Sequence, residues 1–202
     1  MAAYSTHELL ALALAVSFAA GLNVYAVVAT LGLLAQANVV TLPDSLAVVR
    51  SWWVIGPALV LFAVEFLADK IPWVDLVWNV LQLFVRVPAA AVLTFAATDS
   101  MPVELQAVAA LAGGAVALVA SGSKLAVRGA VSGSPEPVSN TILSVGEDLT
   151  AIAVTWFATQ FPWLALSIVL VMLVLAAILA KAIIAGFAAL FRQLRTPAGS
   201  AG

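Results

Sequence analysis

The chain has 202 residues, 64% of them hydrophobic and 9% charged, with a mean hydropathy of +1.16. A soluble domain carries about 25% charged residues, so the composition excludes one and calls for an integral membrane protein surrounded by lipid. A net charge of −2 gives no reason to expect a nucleic-acid partner; the lack of cysteine and the single histidine, His7, argue against disulfides, thiolate chemistry, a metal centre or a triad.

A helix needs about 20 apolar residues to cross the hydrocarbon core, because lipid satisfies no free backbone N–H or C=O. The first apolar run, 9–35, lacks a preceding positive cluster and exceeds a signal h-region of about 7–15 residues. It therefore reads as a retained span. Ser5 and Glu8 have the spacing of a capping box that opens it. Gly21 and Asn23 lie near its middle. Close helix packing and a broken or re-entrant helix are the two readings there.

The second span, 52–68, carries Glu65 too deep for a carboxylate to reach water, with Asp69 one turn later and Lys70 beside it at the turn. Asp69 and Lys70 look there like a surface ion pair. The third, 74–97, carries Asp75, Asn79, Gln82 and Arg86 at spacings of four, three and four, which makes one narrow polar stripe. Pro88 removes a backbone hydrogen bond and predicts a kink. The fourth, 103–128, contains Gly113-Gly114 and a second weak point at Gly122, then Lys124 and Arg128 one turn apart. Ser144, Asp148, Ala151, Thr155 and Thr159 share a face of the fifth, 138–160, with Glu147 alongside. Lys181 lies inside the sixth, 163–191. Pro-, Gly- and Asp-containing connectors separate the spans, and the tail from 196 is expected to be disordered.

The expected fold is thus an all-α integral membrane protein, one transmembrane domain of six helices. With a cytoplasmic N-terminus, Lys70, Lys124, Arg128, Arg192 and Arg195 fall on the inner side and only Arg50 outside. The positive-inside rule then puts both termini in the cytoplasm, with Trp52, Trp53, Trp73 and Trp163 at span ends. Ala19–Asn23 echoes 120–124, and Ile71-Pro72-Trp73 echoes Phe161-Pro162-Trp163. Two three-span halves, 8–98 and 103–192, would form an inverted repeat with breaks at Gly21 and Gly122.

An ionised group at a helix centre costs about 2.5–3.5 kcal/mol on insertion scales. Pairing is one response: Glu65 with Arg86, and Glu147 or Asp148 with Lys124 or Lys181. A functional cavity is the other, and it better explains a polar stripe three turns long.

The segment from Glu65 through Asp69-Lys70-Ile71-Pro72-Trp73 to Asp75, with Asn79, Arg86 and Pro88, resembles the signature of the bacterial domain-of-unknown-function family 4126. Ser121–Lys124, Ser139–Thr141 and Glu147-Asp148 are similar to its second-half pattern. Trp73 and Leu76 stand where that pattern would carry Gly and His. The resemblance implies the membrane fold and names no substrate.

These features predict a small transporter of the bacterial inner membrane rather than an enzyme, with no cofactor. Asn23, Glu65, Asn79, Arg86, Lys124, Glu147 and Asp148 are the expected substrate-binding residues; Asp69, Lys70, Asp75, Arg128 and Lys181 are structural or coupling. Arg86 and Lys124 suit an anionic, phosphate-bearing or lipid-like solute, with an acid carrying a coupling proton. Paired acids suit a cation/proton antiporter instead, and a non-transport scaffold is the third reading. Small-residue faces leave room for a homo-oligomer.

Overall fold

Each apolar run becomes a helix at nearly its expected limits. A computed structural model describes residues 4–131 and 137–195. The helices are α1 (Thr6–Gln36), α2 (Trp52–Ala68), α3 (Pro72–Ala97), α4 (Val103–Val131), α5 (Pro137–Gln160) and α6 (Pro162–Arg195), with a 3-10 helix at Asp44–Arg50 before α2. The expected disordered tail lies outside the described residues. Ser5 and Glu8 close the capping box, with Ser5 N donating to Glu8 Oε2 at 2.8 Å. Pro72 and Pro162 open α3 and α6, where a missing N–H costs nothing.

Helix α1 is broken. Asn23 has extended torsions, φ −153° and ψ 101°, inside an otherwise helical stretch. Contacts along α5 show what the break does. Tyr4 Oη donates to the Thr159 carbonyl, near the C-terminal end of α5. Asn23 Nδ2 donates to Asp148 Oδ1, halfway back along the same helix. Beyond the break, Ala26, Thr30 and Leu33 line a groove with Ile152 and Trp156, so the chain runs back towards the end it came from. Helix α2 agrees, because Gly32 packs on Ile55 near the start of α2 while Glu65, near its end, lies with Lys124 beside the break.

Both limbs of α1 therefore descend to one end of the bundle, and Gly21, Leu22 and Asn23 form the tip of a re-entrant hairpin. At 1.5 Å per residue the limbs are about 25 and 20 Å long, each short of the ~30 Å hydrocarbon core. In α1, 83% of the apolar segment is buried, against 17–33% in α3, α4, α5 and α6. Irregular backbone survives at membrane depth only when protein or a cavity surrounds it, and here helices α2 to α6 surround it.

This changes the expected topology. Helices α2 to α6 alternate in direction along the bundle, α2 reaching the length of a span only together with the 3-10 helix before it, at a 62° bend, and the start of α1 and the far end of α6 lie at opposite ends. Pairs α2–α3 and α5–α6 run in opposite senses, as do the second limb of α1 and α4, whereas the first limb of α1 runs parallel to α4: Ser17 meets Gly113, Gly21 meets Ala117, and Leu22 meets Lys124. The break expected at Gly122 is absent, since α4 stays helical through it.

Gly21 serves packing as well as the break. A Cβ there would lie 2.6 Å from Ala117 O and 2.7 Å from Ala120 Cβ, so only glycine lets α1 and α4 approach this closely. Trp52, Trp53 and Trp163 stand exposed at one end of the bundle and Trp73 at the other, the placement of an interfacial aromatic belt.

Candidate functional site

The polar stripes expected on α3 and α5 face inward and meet. Asp75, Asn79, Gln82 and Arg86 are all buried, as are Ser144, Asp148, Thr155 and Thr159. Spacing alone brings this about, because residues three and four apart share one helix face. Glu65 and Asp69 add the last turn and C-cap of α2, while Lys124 and Arg128 add one face of α4. All four are buried.

Together they form one continuous charged centre. Arg86 Nη2 donates to Glu65 Oε1 at 2.5 Å, and its Nη1 donates to Asn79 Oδ1 at 3.0 Å. Asn79 in turn donates to Asp75 Oδ1 at 2.7 Å. Arg128 bridges three acids: Glu147 at 2.6 Å, Asp75 at 3.2 Å and Asp69 at 3.3 Å. Lys124 Nζ lies 3.3 Å from Asp69, 3.3 Å from Glu147 and 3.5 Å from Glu65. It also donates to the Leu22 carbonyl at the tip of α1, at 3.3 Å.

The tip is tied in by three further bonds. Ser121 Oγ donates to the Gly21 carbonyl at 2.6 Å, Asn23 Oδ1 accepts from Ala26 N at 2.9 Å, and Asn23 Nδ2 holds Asp148 at 2.8 Å. Asn23 thus caps the second limb in the manner of an N-cap. Lys124 sits at the negative end of the first limb and Asp148 at the positive end of the second, as helix dipoles favour.

Most of the expected site residues converge here, and two do not. Lys70 donates to the Phe66 carbonyl at 2.9 Å and sits 3.0 Å above the Phe66 ring, away from the centre. Its neighbour Asp69 is fully buried and paired with α4, so the two do not form a surface ion pair. Lys181 is exposed on α6, with no ion pair among the described residues, and Glu147 pairs with Lys124 and Arg128 instead. Ser17 and Thr94, 2.6 Å apart, fasten α1 to α3 beside Gly113. The sequence held no signal for that contact beyond two small polar residues and a glycine.

The balance of charge decides what this centre can do. Five carboxylates, Glu65, Asp69, Asp75, Glu147 and Asp148, face three cations, Arg86, Lys124 and Arg128. Each cation already faces at least one carboxylate. Glu65 Oε2, Asp69 Oδ1 and Asp148 Oδ2 are buried without a hydrogen-bond partner among the described residues. An unpaired charge in a low-dielectric interior is unstable unless it is neutralised. Protonation or a cation would neutralise such a surplus, and an anionic group would add to it. An apolar crevice of about 220 Å³, walled by Phe18, Leu22, Val127 and Met172, reaches Lys124 and Glu147.

Residues 10–182 match the family described as a domain of unknown function, DUF4126. The chain belongs to that family. No curated protein and no solved structure matches it. In this DUF4126 chain the stretch from Glu65 to Asp75 delivers three of the five acids, and the α2–α3 turn exists to bring them under α4.

Proposed function

We propose that this protein is a small membrane transporter that exchanges protons for a cation at the charged centre beside the re-entrant tip. The supporting observation is the excess of buried carboxylates over buried cations. With protons bound, the centre is neutral and stable in lipid; a monovalent cation that enters releases one of them, and the reverse step reloads it. A half-helix tip ending at mid-bundle beside ionisable groups is the architecture of transporter ion sites, and intramembrane acids commonly act as proton relays. The anionic-solute reading is weaker, because each base is already engaged by an acid.

Lys70, Arg128, Lys181, Arg192 and Arg195 gather at the end where α6 finishes, and Arg50 lies at the other. The positive-inside rule then orients that end towards the cytoplasm of a cell membrane. The C-terminal end of α6 is inside and, because α1 is re-entrant, the N-terminus is outside.

Vesicles holding the purified protein and a pH-sensitive dye test the exchange. Loaded with sodium or potassium salt and diluted into a medium without either, they should acidify inside as the cation leaves and protons enter. Empty vesicles should not. A scaffold, which would draw on the same pairing of all three bases, predicts no protein-dependent acidification with any cation.

A further inference from the structure

Four of the five acids in the centre have an arginine or lysine partner, and the fifth has none. Glu65, Asp69, Asp75 and Glu147 each form an ion pair. Asp148 is held only by the neutral amide of Asn23, through Oδ1. Its Oδ2 has no partner, and the residue is 4% exposed. We propose that Asp148, presented to the tip of re-entrant α1, is the carboxylate at which an alkali cation and a proton compete. The inference rests on the exchange reading above and names its site and substrate class.

Three observations converge on this residue. The α1 break at Asn23 ends the first limb at Gly21 and Leu22, whose carbonyls accept from Ser121 Oγ and Lys124 Nζ and immediately precede the side chain that holds Asp148. Each has accepted one bond, from Ser121 Oγ or Lys124 Nζ, and a carbonyl oxygen carries two lone pairs. One free carboxylate oxygen beside neutral backbone oxygens is a hard, singly charged donor set, suited to a monovalent cation. A divalent ion would call for more acid: among the described residues no group of three acidic or histidine side chains forms a metal cage.

The charged groups acting on Asp148 come from two elements. They are Lys124 on α4 and Glu65 and Asp69 on α2. Asn23 on α1 donates to it, and an amide neither gains nor loses charge when Asp148 takes up a proton. The step balances as one carboxylic acid plus one alkali cation giving one carboxylate–cation pair plus one released proton. The four paired acids hold one further proton among them throughout and otherwise serve as fixed counter-charges to Arg86, Lys124 and Arg128.

Proton release tests this directly. The detergent-solubilised chain in weakly buffered solution with a pH indicator receives sodium, potassium or choline chloride. Saturable release approaching one proton per chain is expected with one or both alkali salts and none with choline. Asp148→Asn should abolish the release while remaining monodisperse, and Asp44→Asn, at an exposed position, should leave it intact. Should Asp148→Asn fail to fold, the wild-type chain alone still decides. Its half-saturating cation concentration should climb as pH falls, by up to tenfold per pH unit, and a value independent of pH overturns competition. Full release from a folded Asp148→Asn overturns the assignment of Asp148, and vesicle exchange that persists in that variant would leave only the broader exchange reading standing. Neither release nor vesicle exchange in the wild type removes both.

Discussion

Replacing Arg128 by methionine should cost about 3–5 kcal/mol of stability, the usual penalty for removing one member of a buried ion pair. Arg128 is fully buried and bridges Asp69, Asp75 and Glu147. Without it, three carboxylates remain in the interior with Lys124 as their nearest cation. Asp75 suffers most, because its one ion pair is with Arg128. A second change, Asp75→Asn, should therefore recover part of the loss, since it removes the charge and keeps the shape that Asn79 bonds to. Unfolding followed by fluorescence in detergent, on the single and double variants, measures both effects. A loss under about 1 kcal/mol would mean that the centre is solvated like a surface ion pair.

Asn23→Leu should be the next most damaging change, at roughly 2–4 kcal/mol, because two terms add. The second limb of α1 loses its cap to Ala26 N, worth about 0.5–2 kcal/mol. Asp148 loses its one hydrogen bond, and a buried polar group left unpaired costs about 1–3 kcal/mol. Pairing it with Asp148→Leu should return the second term and not the first, because an apolar pair of similar shape leaves nothing unsatisfied. The double variant should be more stable than Asn23→Leu alone in the same unfolding experiment. If it were equally or less stable, Asn23 and Asp148 would not be coupled across α1 and α5.

Much of this molecule was legible in the sequence, and the exceptions have physical causes. Helix limits followed from apolar runs bounded by Pro, Gly and capping residues. The stripe from Asp75 to Arg86 and the face from Ser144 to Thr159 followed from helical spacing, and the Glu65–Arg86 pair from the need to neutralise buried charge. The path of α1 did not follow. Hydropathy registers that 9–35 is apolar and cannot tell whether lipid or protein surrounds it. A run of that length fits one tilted span as well as two half-helices. Gly21 and Asn23 were the available signal, and they left packing and breakage open because the tip uses both: Gly21 for contact with α4, Asn23 for the turn and its cap.

With α1 re-entrant, its start and the far end of α6 lie at opposite ends of the bundle, and lysine and arginine cluster at one of them. Asp69 was misjudged for a related reason. Its place in the α2–α3 turn suggests water, yet Lys124 and Arg128 reach it from α4. Lys181 was misjudged in the opposite direction, because a lysine within an apolar helix suggests an interior partner and α6 turns it outward.

The re-entrant α1 supports everything argued for the tip, and it can be tested in membranes. The natural chain has no cysteine, so single cysteines report without background. Variants His7→Cys, Val39→Cys, Ile71→Cys and Asp99→Cys, each at an exposed or loop position, would be treated in intact cells with a maleimide that cannot cross the bilayer. A re-entrant α1 predicts that positions 7, 39 and 99 react together and that 71 is protected. Position 7 protected together with 71, while 39 and 99 react, would mean that α1 crosses the membrane, and the tip that presents Asp148 would not exist.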